Sequence, residues 1–157
     1  MNLEHLVTVR LFGGIDITAG SPVVFPSRRA SALFAYLTLH RGRSHPRGRL
    51  ADLFWEEADE GSARRNLSTT LWRVRTALKS VSGVEVRATS DSVVLSCSDD
   101  ALEVDVEEFS RLIVGNGESS EERLSKLRRA EAIYRGEFLE GYDLHWAEEA
   151  RRYYAAL

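Results

Sequence analysis

ARRNLSTTLWRVRTALK, residues 63–79, carries five basic residues and no acid in a chain whose net charge is −3. Leu67, Leu71, Val74 and Leu78 recur at i, i+4, i+7 and i+11, a continuous apolar stripe along one side of an α-helix. The same rotation turns Arg65, Asn66, Thr69, Thr70 and Arg73 to the opposite side. A helix that buries its leucines must therefore present cations, an amide and hydroxyls together. Such groups match the base edges of a DNA major groove: arginine pairs bidentately with guanine, asparagine with adenine, and threonine offers a hydroxyl and a methyl. Arg64, Arg75 and Lys79 flank that face within reach of phosphates. Trp72 falls between the stripe and the polar face and reads as packing at the edge of the core, ahead of a contact to base or sugar. A charged outer face can also be simply a solvated one, so the neighbouring segments decide.

Working back from residue 63, EEADEGS (56–62) breaks the helical pattern, and Ser62 is the expected cap of the helix that follows. RLADLFW (49–55) is a preceding helix with Leu50, Leu53 and Phe54 on one side. Two helices across a short break have the order of a helix-turn-helix. RGRSHP (41–46) separates them from an earlier helix over about 28–40, capped by Ser27 and spaced by Ala30, Leu33, Phe34 and Leu37. Arg41, Arg43, Arg47 and Arg49 cluster in that turn. Before it, VTVRLF (7–12), IDIT (15–18) and VVF (23–25) are short strands between Gly- and Pro-bearing turns, which predicts an antiparallel sheet.

Working forward, VEVRA (84–88) and SVVLS (92–96) flank the turn residues Thr89, Ser90 and Asp91, the signature of a hairpin. Arg87 on this hairpin has the position of a wing that enters an adjacent minor groove. SDDALEVD (98–105) is acidic, and the boundary between two domains is expected there, with residues 1–98 before it and 99–157 after. Val106, Phe109, Leu112 and Ile113 then mark a short amphipathic helix. Leu124, Leu127, Ala130 and Tyr134 mark a longer one, and a last helix covers about 144–157.

The two halves differ in sign. Residues 1–98 carry 13 basic and 9 acidic residues, and residues 99–157 carry 8 and 15. The first suits a polyanion; the second suits a protein partner. One cysteine, Cys97, excludes an internal disulfide framework and fits a reducing cytoplasm. No apolar run approaches the ~20 residues of a membrane span, and MNLEHLVTVR lacks the pattern of a secretory signal. His5, His40, His45 and His145 have no paired metal-ligand spacing, so no metal and no cofactor are expected. Gly13-Gly14 lacks the lysine of a phosphate loop. The carboxylates Glu56, Glu57, Asp59 and Glu60 sit in a polar break where nothing raises a pKa, and no nucleophile elbow is present. No enzyme is read from this sequence.

The segments VRLFGGIDI, FPSRRASALFAYLTLHRGR, RLADLFWEEAD and ARRNLSTTLWRVRTALK together resemble the OmpR/PhoB-type winged helix, and more specifically the N-terminal half of Streptomyces antibiotic regulatory proteins (SARP). VDVEEFSRLI and AEAIYRGEFLEGYDLHWAEEARRYYAAL resemble the start of the bacterial transcriptional activator domain, a TPR-like helical module. The resemblance spans almost the whole chain. It implies an α+β fold: a winged helix-turn-helix with an N-terminal antiparallel sheet and a C-terminal hairpin wing, then an α-helical segment. It also implies a sequence-specific transcription activator that binds direct repeats in double-stranded DNA as a head-to-tail dimer and touches RNA polymerase. On this likeness Arg73 stands at the base-reading arginine; Arg65, Asn66, Thr69 and Thr70 stand at other groove-facing positions, Arg75 at a phosphate-contacting position and Arg87 on the wing. Trp72 departs from the usual small or basic residue, and Pro46 from a Ser-type cap. The alternative expectation is a protein-interaction scaffold, or a regulatory piece of a larger signalling protein, that no longer binds DNA.

Overall fold

Ser27 ends the strand section as the sequence suggests, its Oγ accepting the N–H of Ala30 at 3.1 Å and so satisfying one of the donors that a helix start leaves open. The helix it opens lies in a mixed α+β structure, a computed structural model that describes residues 6–157. His5 lies outside the described residues. In chain order the elements are β1 (Val7–Arg10), β2 (Asp16–Ala19), β3 (Ser21–Pro22), α1 (Arg28–Leu39), β4 (His45–Pro46), α2 (Arg47–Phe54), α3 (Glu60–Ala77), β5 (Val84–Ala88), β6 (Ser92–Cys97), β7 (Leu102–Val104), α4 (Asp105–Ile113), α5 (Ser120–Ile133) and α6 (His145–Ala155). The strands form two sheets, ordered β3-β2-β1-β7 and β4-β6-β5. No helix among the described residues is long and apolar enough to cross a membrane.

Two compact units divide the chain. One gathers Ile17–Leu102 with Val7; the other gathers Thr8–Asp16 with Glu103–Leu157. The boundary expected between residues 98 and 99 rests on the acidic shift there; the compact units divide after Leu102, and Thr8–Asp16 is drawn into the second unit by long-range bonds. The carboxylate of Asp105 accepts the N–H groups of Leu11 (2.9 Å), Phe12 (3.1 Å) and Val106 (2.8 Å). The Phe12 ring lies 4.8 Å from Tyr134, 5.2 Å from Phe109 and 5.5 Å from Tyr154, centroid to centroid. Gly13 donates to the Glu137 carbonyl at 2.9 Å. Its φ of +84° suits glycine, and a Cβ on Gly136 would meet its Cα at 3.0 Å.

The first unit is built on α1, where Ala30, Leu33, Phe34 and Leu37 are fully buried. Leu50 and Phe54 of α2, Leu67, Leu71, Val74 and Leu78 of α3 and its cap, and the inward alternation of Val84, Val86, Val93 and Leu95 complete that core. β5 and β6 pair antiparallel with Val86 opposite Leu95 and Ala88 opposite Val93, as the hairpin signature predicts. β4 adds a third strand, His45 opposite Val93 and Pro46 opposite Ser92.

Several boundaries differ from expectation. α3 starts three residues early because Asp59, not Ser62, caps it: Asp59 Oδ1 accepts the Ser62 N–H and Oδ2 the Ser62 hydroxyl, both at 2.9 Å. The third strand is Ser21–Pro22 and not 23–25, and Val24 is 79% exposed. Pro46 caps α2 with no side-chain bond. In the second unit Ala130 of α5 is buried, but Leu124 and Leu127 are exposed. That helix is started by a reciprocal cap, Ser119 Oγ accepting the Glu122 N–H and Glu122 accepting the Ser119 N–H.

Candidate nucleic-acid interface

α3 buries Ala63, Leu67, Thr70, Leu71 and Val74. Arg64, Arg65, Asn66, Ser68, Thr69, Trp72, Arg75, Thr76 and, just past the helix, Lys79 are exposed, and Arg73 is half-buried at the margin. The expected outward face is thus present for Arg65, Asn66 and Thr69, with Arg64, Arg75 and Lys79 beside it. Two residues are placed differently. Thr70 is only 4% exposed and stands on the inner side. α3 packs against both α1 and α2, so its buried side is wider than the leucine stripe and takes in Ala63 and Thr70. Trp72 is 66% exposed. It lies on the outward face, one turn from Ser68 and Thr69 on one side and from Arg75 and Thr76 on the other, and not at the edge of the core.

The cations differ in their local engagement. Arg64 pairs with Glu60 at 3.1 Å, one turn earlier, with both side chains largely exposed; such a pair holds the guanidinium only weakly. Arg65 donates to Ser62 Oγ at 3.1 Å. No carboxylate pairs with Arg73, Arg75 or Lys79 among the described residues. On the hairpin, Arg87 is exposed and meets Glu85 at 3.2 Å on the same face of β5.

Arg47 joins the hairpin to α3. Its N–H donates to the Asp91 carbonyl (3.0 Å), one guanidinium nitrogen to the Thr89 carbonyl (3.1 Å) and the other to Ser68 Oγ (2.7 Å). The turn itself is closed by Thr89 N–H to the Ser92 carbonyl (2.9 Å) and Ser92 N–H to Thr89 Oγ1 (3.0 Å). Between α3 and the hairpin lies an open cleft of about 510 Å³, bordered by Arg47, Trp72, Arg75, Lys79 and Ala88 among others. The sequence grouped Arg47 with Arg41, Arg43 and Arg49. Only Arg47 reaches this cleft, and Arg41 instead donates to the Thr38 carbonyl at the end of α1 (2.9 Å). The pairing of β4 with β6 brings Arg47 there, and no local sequence pattern announces a two-residue strand.

His40 and His45 pack beside Tyr36, with centroids 4.6 Å and 5.5 Å from its ring. Burial holds His40 below the usual histidine range, helped by the nearby His45, Arg43 and Arg49. Among the described residues no group of three or more His, Cys, Asp or Glu side chains is arranged to hold a metal ion.

No protein-family model matches the chain, and no curated protein matches it. Among solved structures it is similar in fold to Mycobacterium tuberculosis EmbR, solved in complex with a low affinity phosphopeptide. The TM-score is 0.74 at 20% sequence identity, over 96% of this chain and 42% of that one. The chain therefore spans less than half the length of that neighbour.

Proposed function

We propose that this chain is the DNA-binding part of a transcription regulator of the SARP type. In this reading α3 is the recognition helix of a winged helix-turn-helix and the β5–β6 hairpin is its wing. The observation that carries it is the outward face of α3, which gathers Arg65, Asn66, Thr69, Arg75 and Lys79 beside a hairpin whose turn is tied to α3 by Arg47. Arg65, Asn66, Thr69 and, at the margin, Arg73 contact base edges; Arg64, Arg75 and Lys79 contact phosphates, and Arg87 serves on the wing. Thr70, being buried, is left out of the contact set. The second unit is the beginning of a helical, TPR-like activator domain. Copies bind head to tail on direct repeats and recruit RNA polymerase. The likeness in fold to EmbR supports the reading at the level of architecture.

Selection of bound duplexes from a random pool tests it. Enrichment of a motif, with binding that weakens steeply as salt rises, is the expected result. Enrichment of nothing, with no salt-sensitive binding, favours a protein-interaction scaffold. The exposed Leu124 and Leu127 on the acidic second unit are the features that recommend that second reading.

A further inference from the structure

Trp72 is the one large apolar side chain exposed on α3 among the described residues. At 66% exposure it adds little to the core. Its position singles it out. Ser68 and Thr69 stand one turn before it and Arg75 and Thr76 one turn after, on the same face. It also borders the cleft that Arg47, Arg75 and Lys79 surround with positive charge. A cationic rim selects a polyanion over an apolar protein surface. The ring on its border calls for an apolar patch within that polyanion. The major-groove edge of a duplex offers one: the C5 methyl group of thymine, which apolar side chains contact directly.

We propose that Trp72 is a specificity-determining residue that reads thymine methyl groups in the major groove. The inference rests on the DNA-binding reading above and goes beyond its hydrogen-bonding residues, because it assigns base preference to an apolar contact. The bound strand therefore carries thymine, alone or in a short run, opposite the middle of α3. Polar positions around the ring then fix register, and the ring rejects sites that lack the methyl group.

The test uses the intact chain and the motif obtained by selection. Each thymine in turn is replaced by deoxyuridine, which removes the methyl group and keeps the pairing edge. Wild-type protein is expected to bind about fourfold more weakly for each contacted methyl lost. Trp72→Ala is expected to bind the thymine and uracil duplexes equally, and Trp72→Phe to keep part of the discrimination. Circular dichroism verifies that both variants keep the wild-type fold. Indifference of the wild type to uracil at every position overturns the inference. So does a Trp72→Ala variant that still discriminates, or one that loses the same affinity for both duplexes while the wild type shows no methyl effect, which places the ring on the sugar–phosphate backbone. Failure to enrich any motif sinks the DNA-binding reading itself, whereas an enriched motif without methyl sensitivity sinks only the role given to Trp72.

Discussion

Arg73 and Arg75 are two positions apart on one helix and carry the same charge, yet the proposed function gives them different roles. Arg73 is half-buried at the margin of α3, whereas Arg75 is exposed on the cleft beside Lys79. A base-contacting guanidinium acts at one position of the site; a phosphate-contacting one acts on all sequences alike. Arg73→Ala is therefore expected to cost about 1–3 kcal/mol and to relax preference at one base pair, while Arg75→Ala weakens every duplex and lowers the salt slope by about one unit. Polarisation titrations of the selected site and a scrambled one at several salt concentrations separate the two. In the second unit the telling residue is Asp105. Burial pushes its carboxyl above the ordinary range, against three backbone N–H donors that favour the ionised form. Ionisation is thus harder in the folded chain than in the unfolded one. Its contribution to stability falls as pH rises from about 4, the unfolded value, to the raised folded value, and is flat above that. Asp105→Asn removes this slope, but its amide group cannot accept the N–H of Phe12 while its oxygen serves Leu11 and Val106. Urea unfolding at a series of pH values is expected to show a loss of about 1–3 kcal/mol at pH 7 and no Asp105 component in the pH dependence.

Among elements, the hairpin is packed through Val84, Val86, Val93 and Leu95, and one side chain ties its turn to α3. Arg47→Ala removes the bonds to Thr89 and Ser68, each worth about 0.5–1.5 kcal/mol. Hydrogen exchange at the Thr89 and Ser92 amides is expected to quicken by roughly tenfold while amides in the middle of α1 keep their protection. The start of α3 is set by another residue. Asp59→Ala removes its cap and lowers the melting temperature, whereas Asp59→Asn keeps an acceptor and much of the stability. The Ser62 N–H and hydroxyl hold the Asp59 carboxyl below its usual range, so this support is present above that range and lost as pH falls through the lowered value. The helices and the hairpin are legible in the sequence because their signals are local: leucines at a helical period, valines at a period of two, turn residues between them. What local signals omit is equally physical. Periodicity locates the centre of a buried stripe and says nothing of its width, which here depends on α1 and α2 both packing on α3 and takes in Thr70. The run EEADEGS reads as a break, although Asp59 in it is an N-cap. β4 and β7 are two and three residues long and exist only through partners distant in sequence. The outward set Arg65, Asn66 and Thr69 was readable from rotation alone, and so was the exposure of Trp72, which the same rotation puts one turn from Thr69 and Arg75; the place of Arg47 on the cleft was not.

At the scale of the whole molecule, charge is divided along with structure. The unit holding Ile17–Leu102 has 12 basic and 10 acidic residues when the chain up to Val7 is included, and the other has 9 and 14. The first unit concentrates positive charge on the outward face of α3, although Glu56, Glu57 and Asp59 lie in the α2–α3 connection and Glu60 opens α3 and pairs with Arg64. A polyanion nearing the chain therefore meets an attractive face on one unit and a net repulsion of −5 from the other. Repulsion of this kind acts through the summed field and not through contact, so it changes affinity without changing which sequence is preferred. Glu121, Glu131 and Glu148 are exposed on the helices of the second unit, where glutamine alters charge and little else. The triple variant Glu121→Gln, Glu131→Gln, Glu148→Gln is expected to bind any duplex roughly two- to fivefold more tightly at 0.01 M salt, where the screening length is about 30 Å. At 0.15 M, with screening at about 8 Å, the gain shrinks toward none. The ratio of specific to non-specific affinity stays unchanged at both. Titrations of the selected and scrambled duplexes at the two salt concentrations measure all four quantities. A variant whose base preference shifts would mean that the acidic helices take part in the contact itself.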